Sequence, residues 1–215
     1  MEDVVIKILP DFIGWKLHTP KEYLLFFLVL ATGIAVFFWK WKKMKQARTP
    51  EKALERVKEA IRKGSGKKAW YYLPRDGFPQ GIDLIARVEG TLFLFKIYHK
   101  GYRVYGSSQE STWRIADNAS SLIAENPLRI LEKAETQCRE RLQQKGISSV
   151  SIKTLAVFAD NYAEPAFFTD EESKKHLAST STLRKNLPHL YQKTAGTASA
   201  KSLQSACEAL FLAAE

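Results

Sequence analysis

The stretch 81-GIDLIARVEGTLFLFKIYHKG-101 holds two strand-like segments, IDLIARV and TLFLFKIY, separated by Glu89-Gly90. A two-residue connection ending in glycine between runs of β-branched and aromatic residues is a hairpin signal. With Glu89-Gly90 as the loop, Val88 pairs with Thr91, and counting outward puts Asp83 opposite Lys96. Side chains alternate along a strand. Asp83, Ile85, Arg87, Leu92, Leu94 and Lys96 therefore share one face. Leu84, Ala86, Val88, Phe93 and Phe95 share the other, apolar face, which is expected to meet the core. A second turn at His99–Gly101 leads into YRVYG, which predicts a three-stranded antiparallel meander.

Before the hairpin, TPEKALERVKEAIRKGSG (49–66) reads as a helix. Thr49 is its N-cap, Pro50 its first residue, a glycine its stop, and Leu54, Val57, Ala60 and Ile61 its apolar face. A short strand is expected in KKAWYYLP. After the hairpin, NPLRILEKAETQCRERLQQKG (126–146) is the clearest helix, capped by Asn126 and stopped at Gly146. VSIKTLAVFA then reads as a buried strand. Helix, strands, helix, strand indicates a mixed α/β layer fold. Past Asp160 the pattern weakens. Thr169-Asp-Glu-Glu172 reads as a capping box for a helix through ESKKHLA, STLRKNLPHLYQ as a helix broken near Pro188, and TAGTAS as a linker. AKSLQSACEALFLAA reads as a final amphipathic helix that packs either on its own domain or on a partner.

Near the N-terminus, YLLFFLVLATGIAVFFW (23–39) carries no charge. An apolar helix of about 17–25 residues crosses a bilayer core. No small-residue cleavage site follows it; KWKKMK does, as after a stop-transfer span. Tyr23, Trp39, Lys40, Trp41, Lys42, Lys43 and Lys45 are expected at the membrane interfaces, in contact with lipid. The positive-inside rule then places the N-terminus outside and the rest in the cytoplasm, as a single-pass protein of a bacterial inner membrane. The expected layout is a short outer tail (1–22), a transmembrane helix (23–41), a basic juxtamembrane segment (42–48), an α/β domain (49–160) and a helical C-terminal extension (161–215).

The chain has 215 residues and a net charge of +10. Residues 1–22 hold three lysines and four acids (−1) and residues 40–48 five cations (+5), leaving +6 for residues 49–215. A basic surplus suits an anionic partner such as nucleic acid or lipid headgroups. Two cysteines, Cys138 and Cys207, both on apolar helical faces, predict buried thiols and exclude a disulfide framework or a cysteine-rich zinc site. The four histidines (His18, His99, His176, His189) are not spaced as metal pairs.

Asp on one strand and Lys on the next, as Asp83 and Lys96 stand here, resembles the PD-(D/E)xK nuclease superfamily. GIDLIA is similar to the stretch bearing the metal-binding Asp in Mrr-type restriction endonucleases. The helix containing Glu55, the hairpin, Trp113, the NPLRILEKAETQCRERLQ helix and TLAVFAD together resemble the nuclease-related domain over roughly residues 50–160. The resemblance implies a restriction-endonuclease-like three-layer α/β domain. Asp83, helped by Glu55, would hold Mg²⁺, and Lys96 would stabilise developing charge. The sequence departs from the pattern where it matters: Leu94 stands where the family carries a carboxylate, and Ile130 where its helix often carries Gln. The same residues read more simply as a cross-strand Asp–Lys pair on a nuclease-like scaffold, with no metal. Nucleic-acid contacts are expected at Lys67 and Lys68 in KGSGKKAWYY and at His99 and Lys100 beside the hairpin. GYRVYGSS adds Arg103 between Tyr102 and Tyr105, where aromatics interleaved with base suit single strands. Three functions follow: a non-catalytic or weakly active nuclease-like domain binding nucleic acid or a protein partner, an active Mg²⁺-dependent endonuclease cleaving DNA at the membrane, or a structural subunit of a membrane complex.

Overall fold

The computed structural model of the chain describes residues 20–46, 48–66, 69–147, 150–160, 163–192 and 200–214. The tail before residue 20, Lys67, Lys68 and the TAGTAS segment lie outside the described residues. The chain divides into two compact units, Met1–Lys43 and Met44–Glu215.

The first unit holds most of helix α1 (Pro20–Gln46). Its stretch Tyr23–Lys42 has a mean hydropathy of 2.0 and is long and apolar enough to cross a membrane. At 1.5 Å per residue it measures about 30 Å, the thickness of a hydrocarbon core. None of this apolar stretch is buried, and Leu24, Phe37 and Trp39 are exposed. Its one threonine, Thr32, donates its hydroxyl to the carbonyls of Leu28 and Val29 and so needs no outside partner. Lys40 and Lys42 are exposed on the same helix.

The second unit runs α2 (Pro50–Ser65), β1 (Ala69–Leu73), β2 (Leu84–Val88), β3 (Thr91–Tyr98), β4 (Arg103–Tyr105), β5 (Thr112–Ala116) and β6 (Ser121–Glu125). It continues through α3 (Pro127–Gln144), β7 (Ser151–Phe158), β8 (Ala166–Phe168), α4 (Glu171–Lys174), β9 (Leu177–Ser179), α5 (Thr180–Gln192), α6 (Ala200–Leu210) and β10 (Leu212–Ala213). A six-stranded sheet is ordered β10-β1-β2-β3-β7-β9 and a four-stranded sheet β6-β5-β4-β8.

The hairpin forms in the expected register, from Val88↔Thr91 to Leu84↔Phe95. Glu89, not the glycine, takes the positive φ of the turn (54°). The meander is displaced by one strand. The antiparallel set is β1-β2-β3, and the far edge of β3 pairs in parallel with β7, from Thr91↔Ser151 to Tyr98↔Phe158. β7 wins that edge because it matches β3 along its whole length and its last five residues are buried. The three-residue β4 joins the smaller sheet instead, beyond a left-handed turn at Gly101 (φ 89°).

Both faces of the hairpin meet a core, not one. Leu84, Ala86, Val88, Phe93 and Phe95 pack with Val57 and Ile61 of α2 and Leu183 and Leu187 of α5. Ile85, Leu92 and Leu94 pack on the opposite side with Leu131 and Cys138 of α3, Leu203 and Cys207 of α6, and Trp113 of the smaller sheet. Strands covered on both faces read as continuous apolar runs, which is why β2 and β3 lack clean alternation. Arg87 is buried among them, with its guanidinium 3.8 Å over the Trp70 ring and 3.3 Å from Gln204 of α6.

The caps of the two long helices form as expected. Thr49 accepts from the amide of Lys52, and Asn126 from that of Leu128, while the Asn126 amide group also donates to the Glu110 carbonyl at 2.7 Å. The capping residue near 170 is Asp170, not Thr169. Its helix is a single turn, because Leu177–Ser179 is drawn into the sheet beside β7. Pro188 sits inside an unbroken α5. Residues 161–215, expected as a helical extension, supply strands to both sheets and helices to both cores. α6 packs at home, and Phe211, just past its end, stacks on Phe78.

Candidate functional site

The parallel strands β3 and β7 end on one side of the larger sheet, the place where open α/β sheets hold ligands. A cleft of about 1020 Å³ lies there. One wall is the start of α2 with Glu51 and Leu54, and another is Asp117, Ser120, Ser121 and Leu122 of the β5–β6 hairpin. Ile82 and Asp83 enter before β2, and Lys96 to Gly101 line the cleft from the end of β3 and the turn after it.

Asp83 and Lys96 meet as the register predicts. The Lys96 ammonium lies 3.3 Å from Oδ1 and 3.2 Å from Oδ2 of Asp83, and the Ile97 amide donates to Oδ2 at 2.7 Å. Both carboxylate oxygens are thus engaged. The side chains are 38% (Asp83) and 23% (Lys96) exposed, so the pair is partly solvated. Beneath it Tyr98 stacks on Phe158 at 4.8 Å. Burial, and then the negative charge of Asp83, push the Tyr98 phenol well above its usual range, so it stays protonated. Burial, and then neighbouring Lys100, hold His99 below its ordinary value, which leaves a neutral imidazole on the cleft at pH 7.

Glu55 does not join this group. It pairs with Lys52 at 3.1 Å on the outside of α2, with its side chain 67% exposed. The acid that lines the cleft is Glu51, one turn earlier, because residues four apart share a helix face. Hydrogen bonds from its own backbone and from Thr49 hold Glu51 below the usual carboxylate range. Leu94 is fully buried opposite Ile85. Among the described residues no group of three His, Cys, Asp or Glu side chains is arranged to hold a metal ion. This donor set is a poor fit to Mg²⁺, which takes oxygen ligands in near-ideal octahedral geometry. Asp83 already serves Lys96 and a backbone amide, and the next position on β3 that could add an acid is occupied by a core leucine. Lys100 stands at the cleft, whereas Arg103 lies exposed on the smaller sheet.

Arg48 is the residue whose importance the sequence conceals. It stands in the basic run after the apolar helix, yet its guanidinium bridges Asp117 at 2.5 Å and Asp160 at 2.7 Å. Asp160 also accepts from the Gly101 amide at 2.9 Å. The two carboxylates are 6% and 0% exposed. Burial pushes the Asp117 carboxyl up, but Arg48 and the amides of Ala119 and Ser120 outweigh it and hold it far below the ordinary range. The bridge ties the entry to α2 to the ends of β5 and β7, and so fixes two walls of the cleft.

Comparison with family models, with curated proteins and with solved structures finds no match to this chain.

Proposed function

We propose that the protein is a membrane-anchored, non-catalytic domain of restriction-endonuclease-like build that binds nucleic acid on the cytoplasmic side. The observation that carries the reading is the state of Asp83. Its carboxylate is taken up by Lys96 and the Ile97 amide, and Leu94 is sealed in the core where a second metal-binding acid would stand. The order α2-β1-β2-β3, then β4-β5-β6 of the smaller sheet, then α3-β7, with β7 parallel to β3, keeps the helix–strands–helix–strand order that the resemblance implies, and it supports the build. The basic surplus of residues 49–215 supports an anionic partner. The exposed apolar helix followed by Lys40 and Lys42 supports anchoring with the larger unit inside.

One arrangement favours the active alternative: Asp83, Lys96 and Glu51 all line a single cleft. The full chain in nanodiscs, tested on plasmid and single-stranded DNA with Mg²⁺ or Mn²⁺, separates the two. The proposal expects nucleic-acid binding that weakens steeply with salt and no metal-dependent cutting. Cutting that disappears in Asp83→Ala and Lys96→Ala would establish the nuclease reading instead.

A further inference from the structure

The smaller sheet has one face in the core and one outside. Val104, Trp113 and Ile115 point inward. Strand pairing then puts their alternates on the outer face. The pairs Tyr105↔Phe168, Tyr105↔Arg114 and Arg114↔Ile123 run across all four strands as one row. Directly paired residues project to the same side. The row therefore reads Ile123, Arg114, Tyr105, Phe168 from one edge of the sheet to the other.

Three planar groups of this row are stacked. The Tyr105 and Phe168 rings are 4.8 Å apart at an interplanar angle of 8°, and the Arg114 guanidinium lies 4.5 Å over Tyr105. Phe168, on the edge strand β8, is 56% exposed, more than any other Phe, Tyr or Trp among the described residues of this unit. Arg103 stands two residues from Tyr105 on the same face, over the Tyr102 ring at 5.6 Å. Among the described residues neither Arg103 nor Arg114 has a carboxylate partner; each is placed over a tyrosine ring, with a charge suited to an anion.

We infer that the outer face of the four-stranded sheet is a stacking platform for single-stranded nucleic acid. The inference rests on the nucleic-acid reading above and adds the surface and the strandedness. An unpaired base continues the stack on Phe168, and Arg114 and Arg103 take phosphates along the same strand. Aromatic platforms beside arginines hold single strands in this way, largely regardless of sequence. A duplex keeps its bases inside and offers only phosphates, which this face could not stack. A bilayer surface is matched less well, because the rings stand packed against one another and not splayed for insertion.

The test uses the full chain in nanodiscs of neutral lipid, with a fluorescent oligothymidine and a duplex of equal length as probes. Phe168→Ala is expected to weaken oligothymidine binding roughly 5- to 100-fold and to leave duplex binding unchanged, while Phe168→Tyr retains binding. Arg114→Gln should make the salt dependence shallower by about 0.7 in log–log slope, the loss of one phosphate contact. Thermal unfolding of each variant shows that the fold is kept. Unchanged oligothymidine binding in folded Phe168→Ala and Arg114→Gln would overturn the platform. If Lys100→Ala weakened it instead, the nucleic-acid reading would stand with its site moved to the cleft. No binding of either probe at low salt would overturn the nucleic-acid reading itself. Binding to anionic vesicles that Phe168→Ala abolishes, with none to oligothymidine, would replace the platform by a lipid contact.

Discussion

Arg48→Ala removes the shared partner of two carboxylates that are almost wholly out of water. Deleting one member of a buried ion pair costs about 3–5 kcal/mol, because a charge is left unpaired. The figure here is smaller. The Arg48 side chain is itself 24% exposed, Asp160 keeps the Gly101 amide, and Asp117 keeps the amides of Ala119 and Ser120 and the Ser120 hydroxyl. A loss of about 2–3 kcal/mol is expected, and at about 2–4 °C per kcal/mol for a unit of this size the midpoint falls by about 4–12 °C. Thermal unfolding followed by the fluorescence of buried Trp113, on the full chain in detergent, measures it. Acid adds a second signature. The folded Asp117 carboxyl is held below its unfolded value, so its contribution to stability is complete above pH of about 5 and is lost as pH falls towards the folded value. The gap between wild type and Arg48→Ala should therefore narrow as pH drops from about 5 to 2. A midpoint shift under about 2 °C, or a gap that stays constant in acid, would refute the account of Arg48 as a buried bridge.

Three more outcomes follow from the packing. Leu94→Glu, which rebuilds the acid of the nuclease pattern, should destabilise by about 3 kcal/mol or more and yield no metal-dependent cleavage, because the site is fully buried; a stable, cutting variant would count against the non-catalytic reading. Gly64→Ala would place a methyl 2.6 Å from the Arg184 carbonyl oxygen, where α2 crosses α5, and should cost about 1–3 kcal/mol in denaturant unfolding despite the better helix propensity of alanine. Burial pushes the thiols of Cys138 and Cys207 up to about 12, so iodoacetamide at pH 8 should label neither in the native protein and both in guanidinium.

The hairpin register, the Asp83–Lys96 contact and the caps at Thr49 and Asn126 were legible because each depends on residues close in sequence. What escaped was set by distant segments. That 103–105 would leave the larger sheet could not be read from YRVYG, since the competitor for the β3 edge lies some fifty residues on, in β7. The second core face was hidden by Arg87. Its charge suggests solvent until Trp70 and Gln204, one on a neighbouring strand and one on a helix near the chain's end, are seen to enclose it. That Glu51 and not Glu55 lines the cleft could not be read, because helix phase relative to a sheet is not visible in one sequence. Arg48 was masked by its company, as one cation in a basic run carries no mark of a buried partner. Of the row across the smaller sheet the sequence singled out Tyr105 alone, with Arg103 two residues away on the same face, while Arg114 and Phe168 join it only through pairing.

The edges of the two sheets differ in a way that bears on self-association. The larger sheet ends in β10, of two residues, and β9, of three, too short to template another chain. Its apolar centre is thereby shielded from intermolecular strand addition even though β2, β3 and β7 are the most aggregation-prone segments of the domain by composition. The smaller sheet ends in β6, of five residues, with Leu122 58% and Ile123 72% exposed. Among the described edge strands β6 is the longest, so in a concentrated preparation dimer or fibril formation by strand addition is expected to start there, and Ile123→Lys is the substitution that closes it.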